Sequence, residues 1–352
     1  MTARLTIHLD AIRHNVATLA AIAAPSRTLF AVKAGAYGLG MVPVARAGLA
    51  AGAEWLGTLE VPAALELREA GIRAPLFAWL HGEHTDFRAA IEAEVDLGVS
   101  SQAELRRVAA ARAALPARVH LKVDTGLHRN GANPADWPGL VAEALELVDA
   151  GALRIVGLWS HLADASPEAD AAALAEFHAA VAVAGALGVP LEGPDRPLLH
   201  LAASSAGIRE PEARLDLVRF GIAAYGVSPF DDVDGPGLGM RGTLSLHAAV
   251  IEARDGIAVL DVGSADGVPP SVLGPSGLGA EVLLGGSRAR VLAVGIDTLT
   301  VEADAAPGDA AIVYGPGELG EPTVEDWAAW SASIGDEILA RASTRLPREY
   351  LD

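Results

Sequence analysis

Along the first two-thirds of the chain, short β-rich runs alternate with alanine-rich helical stretches. That alternation is the pattern of a parallel α/β sheet. The candidate strands end near Lys33, Leu59, Trp79, Ser100, Asp124, His161, Ser204 and Arg219. Between them lie amphipathic stretches at 61–70, 102–114, 135–150 and 167–187. Eight strands with intervening helices predict a closed (β/α)8 barrel of TIM type. An open doubly wound sheet satisfies the same alternation and stands as the alternative.

The pattern changes after Tyr225. Residues 226–242 are rich in glycine and proline and read as a linker. Beyond it come β-like runs at 257–262, 280–284, 288–294 and 310–313, and a candidate helix at 330–342. Few helices separate these runs, which predicts a smaller, mainly-β domain. The expected division is therefore a barrel domain at 1–228 and a C-terminal β domain at 229–352.

A chain of 352 residues accommodates one large and one smaller domain. Its formal charge of -19 argues against nucleic acid as a partner. With no cysteine, disulfides, thiolate metal sites and a cysteine nucleophile are excluded. The first residues, MTARLTIHLDAIRHNV, lack the apolar core of a signal peptide. No uninterrupted apolar stretch reaches membrane-spanning length. The expectation is a soluble, cytoplasmic protein without a membrane partner.

Only two lysines occur, Lys33 and Lys122. Lysine alone among the strong bases forms a Schiff base with an aldehyde cofactor. Lys33 lies in Ala31-Val32-Lys33-Ala34-Gly35-Ala36-Tyr37-Gly38-Leu39-Gly40, a strand end running into a glycine-rich turn. A solvated strand-end lysine is the ordinary reading; the small flanking residues and Tyr37 favour a cofactor-linked one.

Chemistry in such barrels sits at the C-terminal ends of the strands. Lys33 ends the first strand, Lys122, Asp124 and Arg129 fall at or after the fifth, and His161 ends the sixth. Ser204 ends the seventh and Arg219 the eighth. Singly, each has a bland explanation: a packing histidine, or an arginine in an ion pair. Jointly they face one mouth. Gly221 lets backbone amides approach a ligand, and Ser204 adds a hydroxyl, at the place where these barrels commonly hold phosphate. With a lysine across the mouth, the combination points to a phosphorylated aldehyde.

These segments resemble the alanine racemase family of two-domain pyridoxal-phosphate enzymes, and the resemblance spans nearly the whole chain. Its anchors are the Lys33 segment, His120-Leu121-Lys122-Val123-Asp124-Thr125-Gly126-Leu127-His128-Arg129 and Trp159-Ser160-His161. Val218-Arg219-Phe220-Gly221-Ile222-Ala223-Ala224-Tyr225-Gly226 and Leu346-Pro347-Arg348 complete them. The resemblance implies that Lys33 holds pyridoxal 5'-phosphate and acts as a base, and that Tyr37, Ser204, Gly221 and Ile222 contact the phosphate. It implies that His161 packs on the pyridine ring, that Arg219 faces its nitrogen and that Arg129 lies near its phenolic oxygen. It also implies a small amino-acid substrate and a head-to-tail homodimer. Lys122 matches a position that some members carbamylate; a plain Lys122–Asp124 ion pair is the equal alternative.

The resemblance breaks in the C-terminal third. Racemisation of this type uses two bases on opposite faces of Cα. The family's second base is a tyrosine from the partner subunit, and Gly263-Ser264-Ala265-Asp266-Gly267 places Ser264 there. Asp336 stands where a second phosphate tyrosine is expected, Ile296-Asp297 replaces a Met-Asp motif, and Ala203 replaces an asparagine. The expectation is retained cofactor binding with weak or absent alanine racemisation. Alternatives are a one-base enzyme such as a decarboxylase, a non-catalytic pyridoxal-phosphate-binding protein and, at a distance, a nicotinamide-dependent oxidoreductase.

Overall fold

The computed structural model describes residues 2–273, 279–342 and 344–352. The chain forms two compact units, one of Leu19–Lys33 and Gly52–Gly221, the other of Met1–Thr18, Ala34–Ala51 and Ile222–Asp352. The division expected at residue 228 follows chain continuity, whereas the compact units interleave. The reason is the first strand, β1 (Arg4–His8), which pairs with residues near 247 and 348.

The first-named unit holds β2 (Arg27–Ala31), β3 (Trp55–Thr58), β4 (Leu76–Ala78), β5 (Val95–Val99), β6 (Ala117–Lys122), β7 (Leu153–Trp159), β8 (Leu198–His200) and β9 (Leu217–Phe220). Neighbours run parallel in the order β8-β7-β6-β5-β4-β3-β2-β9. The ends of that sheet meet: Asp216 N donates to Leu199 O at 3.0 Å and Arg219 N to Ala202 O at 3.1 Å. Those two bonds close the barrel and remove the open-sheet alternative. Leu29, Ala31, Trp55, Phe77, Trp159 and Leu217 pack together as one buried cluster.

The outer helices follow from local sequence. Pro167–Leu187 begins with Ser166 accepting from Ala169 N at 3.2 Å, has proline in its first turn, and stops at Gly188 in the left-handed region. By length and composition this helix could cross a membrane, contrary to the sequence expectation. Here Asp170, Ala173, Phe177, Ala180, Val181 and Ala184 form one buried face, and Trp137 Nε1 donates to Ala180 O at 2.8 Å.

The second unit is built on a mixed sheet that adds β10 (Leu244–Arg254), β11 (Ile257–Leu260), β12 (Glu281–Leu284), β13 (Ser287–Val294), β14 (Leu299–Glu302), β15 (Ala310–Tyr314) and β16 (Arg348–Leu351). Its order is β11-β14-β13-β12-β15-β10-β1-β16, with β1 antiparallel to β10 and parallel to β16. Of the tail helix expected at 330–342 only Gly335–Ala340 forms, and a separate helix, Val324–Trp330, ends where it was expected to begin. Ser331 Oγ bonds back to Trp327 O at 2.6 Å and Ala332 takes a left-handed φ of 52°, so the helix breaks there. The predicted linker is pinned. Glu325 accepts from Ser228 N at 2.8 Å and Gly235 N at 3.1 Å, and buried Asn15 bonds Arg241 N at 2.8 Å.

Candidate active site

Barrel strands end in the order the sequence suggested, and their polar termini meet around Arg219 on β9. This guanidinium is buried, with 7% exposure. It donates to Ser160 O and Leu201 O at 2.9 Å each, to His161 Nδ1 at 2.9 Å and to His200 Nδ1 at 3.0 Å. Because a guanidinium only donates, His161 Nδ1 must accept, leaving its proton on Nε2. Burial first, then the charges of Arg219, Arg129, Lys122 and Lys33, hold the His161 pKa down at about 2. His161 is therefore a neutral ring. Burial and Arg129 lower Arg219 to about 9, which leaves it cationic at neutral pH.

Lys122 ends β6 with its ammonium 4.5 Å over the face of Trp159 and donating to Asn130 Oδ1. The Lys122–Asp124 ion pair does not form, because Asp124 closes its own loop. Its carboxylate accepts from Gly126 N and His128 N at 3.1 Å each and meets His128 Nδ1 at 2.9 Å. Burial, then Arg219 and Arg129, lower Lys122 to about 7 against a weaker opposing push from Asp124. Near neutral pH a large share of Lys122 is free amine, the form that adds carbon dioxide. Equilibration with 13C-bicarbonate at pH 8 should give one carbamate resonance, absent from Lys122→Arg. The resonance should fade below pH 7 as the amine protonates. A spectrum without it would leave Lys122 a plain amine.

Arg129 is exposed on the loop after β6, and its charge acts on Lys122, His161 and Arg219. His128 is exposed on the same loop. Gly221 N donates to Ser204 Oγ at 3.1 Å, so these two predicted phosphate contacts lie side by side. Lys33 follows β2 and opens a turn in which Ala34, Gly35, Ala36 and Tyr37 all take left-handed φ values of 52°, 64°, 58° and 52°. For non-glycine residues that conformation costs roughly 1–2 kcal/mol each. Strain of this kind persists only where surroundings impose it.

In the second unit, Tyr37 packs against Tyr225 with ring centroids 4.6 Å apart. Burial, then the charge of Asp336, push the Tyr37 phenol far above its usual pKa, so it is a constant donor. Ile222 opens the 3-10 turn Ile222–Tyr225. Ser264 opens a 3-10 turn held by Ser264 N to Gly295 O and Ala265 N to Ile296 O, both 2.9 Å, and by Gly263 N to Asp266 Oδ2 at 3.0 Å. Asp297 is bound by Arg345 at 2.9 Å, and Ile296 is 71% exposed.

A lysine, a neutral histidine and a buried arginine now stand at one barrel mouth, beside a serine–glycine pair. Two family models match the chain, "Alanine racemase, N-terminal domain" over residues 7–229 and "Alanine racemase, C-terminal domain" over residues 246–350. The chain belongs to the alanine racemase family. The alanine racemase of Thermobifida fusca is 40% identical over 380 residues, covering 99% of this chain and 98% of its own. That of Mycolicibacterium smegmatis is 38% identical over 387 residues, covering 99% and 95%. The solved alanine racemase from D-cycloserine producing Streptomyces lavendulae matches with a TM-score of 0.93 at 37% identity, covering 100% of this chain and 97% of the other.

Alanine racemase family enzymes use pyridoxal 5'-phosphate, and this chain is an isomerase of that class. Its residues fit the group. The adjacent Ser204 hydroxyl and Gly221 amide suit a phosphate, and the fixed N–H groups of Arg219 suit a ring nitrogen. Asp336 opposes that fit, since its charge falls on Tyr37.

Arg348 closes the Leu346-Pro347-Arg348 motif. Its Nε and Nη2 donate to Gly38 O at 3.1 and 2.8 Å, and Tyr350 Oη donates to Leu39 O at 3.1 Å. β16 thus clamps the segment that immediately follows the strained turn. Arg348→Ala removes charge-assisted bonds worth about 1.5–3 kcal/mol. It should weaken cofactor affinity about tenfold and lower the melting temperature. Unchanged affinity by fluorescence titration would show that the turn holds without the clamp.

Proposed function

We propose that this chain racemises alanine with pyridoxal phosphate held on Lys33, and that it does so slowly. The observation that carries the reading is Arg219, fixed by backbone carbonyls and two neutral histidines at the mouth where Lys33 ends its strand. When bound, the cofactor withdraws electrons and so acidifies the α-hydrogen of an amino acid. Lys33 moves that proton on one face. His161, neutral and hydrogen-bonded by Arg219, would pack on the ring without competing as an acid. Arg219 presents N–H donors to the ring nitrogen and, as a cation, disfavours its protonation. Arg129 orients the phenolic side. Tyr37, Ser204, Gly221 and Ile222 bind the phosphate. By the family resemblance Ser264 would reach the opposite face from the partner subunit, where it is a poor base.

The test follows L-alanine to D-alanine conversion, and α-hydrogen exchange in heavy water, with cofactor at saturation. Slow racemisation of alanine supports the reading. Ser264 specifically favours a one-base reaction as the second reading. Loss of carbon dioxide from an amino acid, without inversion, would establish that instead.

The functional division keeps residues 1–228 as the cofactor-binding part and 229–352 as the β domain. We assign the protein to the cytoplasm as a homodimer, each β domain covering the partner's barrel mouth. Ile296, hydrogen-bonded to the Ser264 turn through its backbone, is 71% exposed, and a covering partner would bury it. Light scattering at micromolar concentration should report a dimer; a monomer would remove the shared site.

A further inference from the structure

Arg219 is the first member of a hydrogen-bonded line that crosses the barrel interior. Its Nη1 meets His200 Nδ1 at 3.0 Å, His200 Nε2 meets His120 Nδ1 at 2.9 Å, and His120 Nε2 meets Asp96 Oδ2 at 3.1 Å. Arg118 closes the far end through Nε to Asp96 Oδ1 at 2.5 Å and Nη2 to Oδ2 at 3.1 Å. Both histidines are fully buried and Asp96 nearly so.

Only one arrangement of protons satisfies every link. A guanidinium cannot accept, so His200 Nδ1 accepts and its proton sits on Nε2. That proton can go only to His120 Nδ1, which places the His120 proton on Nε2. It ends on a carboxylate, which accepts only. Burial first, then Arg219, hold His200 well below the usual histidine range, consistent with a ring that never charges.

The barrel makes room for this line at a cost to its regularity. The β6–β7 register slips between Val119 and His120, and residue 157 opposite is glycine. A Cβ at Gly157 would stand 1.9 Å from His120 Nδ1. Trp159 stacks on His200 with the planes 7° apart. Stacking fixes the plane of that ring, yet it leaves open which nitrogen carries the proton and which edge faces Arg219. Arg219 requires an acceptor at Nδ1, and His120 supplies the acceptor that holds the proton on Nε2.

We propose that His120, Asp96 and Arg118 are positioning residues, which set the tautomer of His200 and so aim the Arg219 guanidinium. This rests on the reading that Arg219 faces the cofactor ring. A mis-set His200 would bring two donors together, and Arg219 would turn away from its site.

The test uses the full chain with His120→Leu, which keeps bulk and removes the acceptor, and His120→Asn, whose Oδ1 restores an acceptor near the lost Nδ1. Asp96→Leu removes the terminal acceptor and serves where His120→Leu does not fold. Nitrogen-15 spectra of the cofactor-free proteins report the His200 tautomer, and titration reports the pyridoxal-phosphate dissociation constant. Wild type and His120→Asn should show His200 protonated on Nε2. The leucine variants should lose that single state and bind the cofactor about 10–100-fold more weakly, the scale seen when outer partners of bound groups are removed. Equal losses in His120→Asn and His120→Leu would reduce His120 to a packing residue. A leucine variant with unchanged tautomer and affinity would also overturn the proposal. Wild type that keeps the tautomer but binds no cofactor would defeat the functional reading while leaving the line itself standing.

Discussion

Lys33→Ala should leave the protein without any borohydride-reducible cofactor label and lower turnover by at least about 10²–10⁴-fold, the range lost with a positioned acid–base group. The chain makes this a clean experiment, since the one other lysine is Lys122. Its pKa of about 7 in the folded chain leaves a large share of Lys122 as nucleophilic amine near neutral pH. Its amine is nevertheless engaged by Asn130 and covered by the Trp159 face, so it is not offered to a ligand. Peptide mapping of reduced wild type should place the label on the peptide containing Lys33. A label on Lys122, or one that survives Lys33→Ala, would transfer the cofactor to the other lysine. It would also dissolve the role given to the strained turn after Lys33.

Much of the barrel was legible because its signals are local. Each buried run stops at a polar residue, so Lys33, Lys122, His161 and Arg219 mark strand ends in the sequence itself. The amphipathic stretch at 167–187 likewise matches its helix, Pro167–Leu187. What stayed hidden depends on partners far along the chain. β1 is a five-residue strand whose neighbours lie in β10 and β16, and nothing in its own sequence names them. Residues 226–242 read as a linker because glycine, proline and aspartate usually are one. Asn15 and Glu325 pin them from 226 and about 90 residues away. Alanine does not advertise a left-handed conformation, so the turn at Ala34 and Ala36 could not be foreseen. Arg348 and Tyr350, which hold the adjoining carbonyls, arrive only at the end of the chain.

The candidate site divides in the same way. Residue types at strand ends suggested a phosphorylated aldehyde, but not the state of any group. Asp124 stands two residues from Lys122 and invites an ion pair; the structure spends that carboxylate on Gly126 and His128 instead. Desolvation by the barrel interior, not a neighbour in sequence, is what lowers Lys122. His200, His120 and Asp96 gave no signal, because a histidine inside a strand is ordinarily core.

Ser264→Tyr should raise alanine racemisation by about 10²–10⁴-fold, the largest gain expected of any single change here. A phenol with a pKa near 10 exchanges protons far more readily than a serine hydroxyl. The turn is ready for it. Backbone bonds from Ser264 and Ala265 to the 295–296 segment, with Asp266 bracing Gly263, fix the loop independently of the side chain at 264. Ser264→Ala supplies the control: a rate within about threefold of wild type would show that the serine itself carries no proton. Heavy water adds a readout that does not depend on absolute rate. With Lys33 working alone, α-hydrogen exchange on one face should outrun inversion by a wide margin. With tyrosine opposite, exchange and inversion should converge. Wild-type turnover of roughly 1–10³ per second would show that a second base already operates and that Ser264 is no handicap. A tyrosine variant with unchanged exchange and inversion would mean that residue 264 does not reach the reacting carbon.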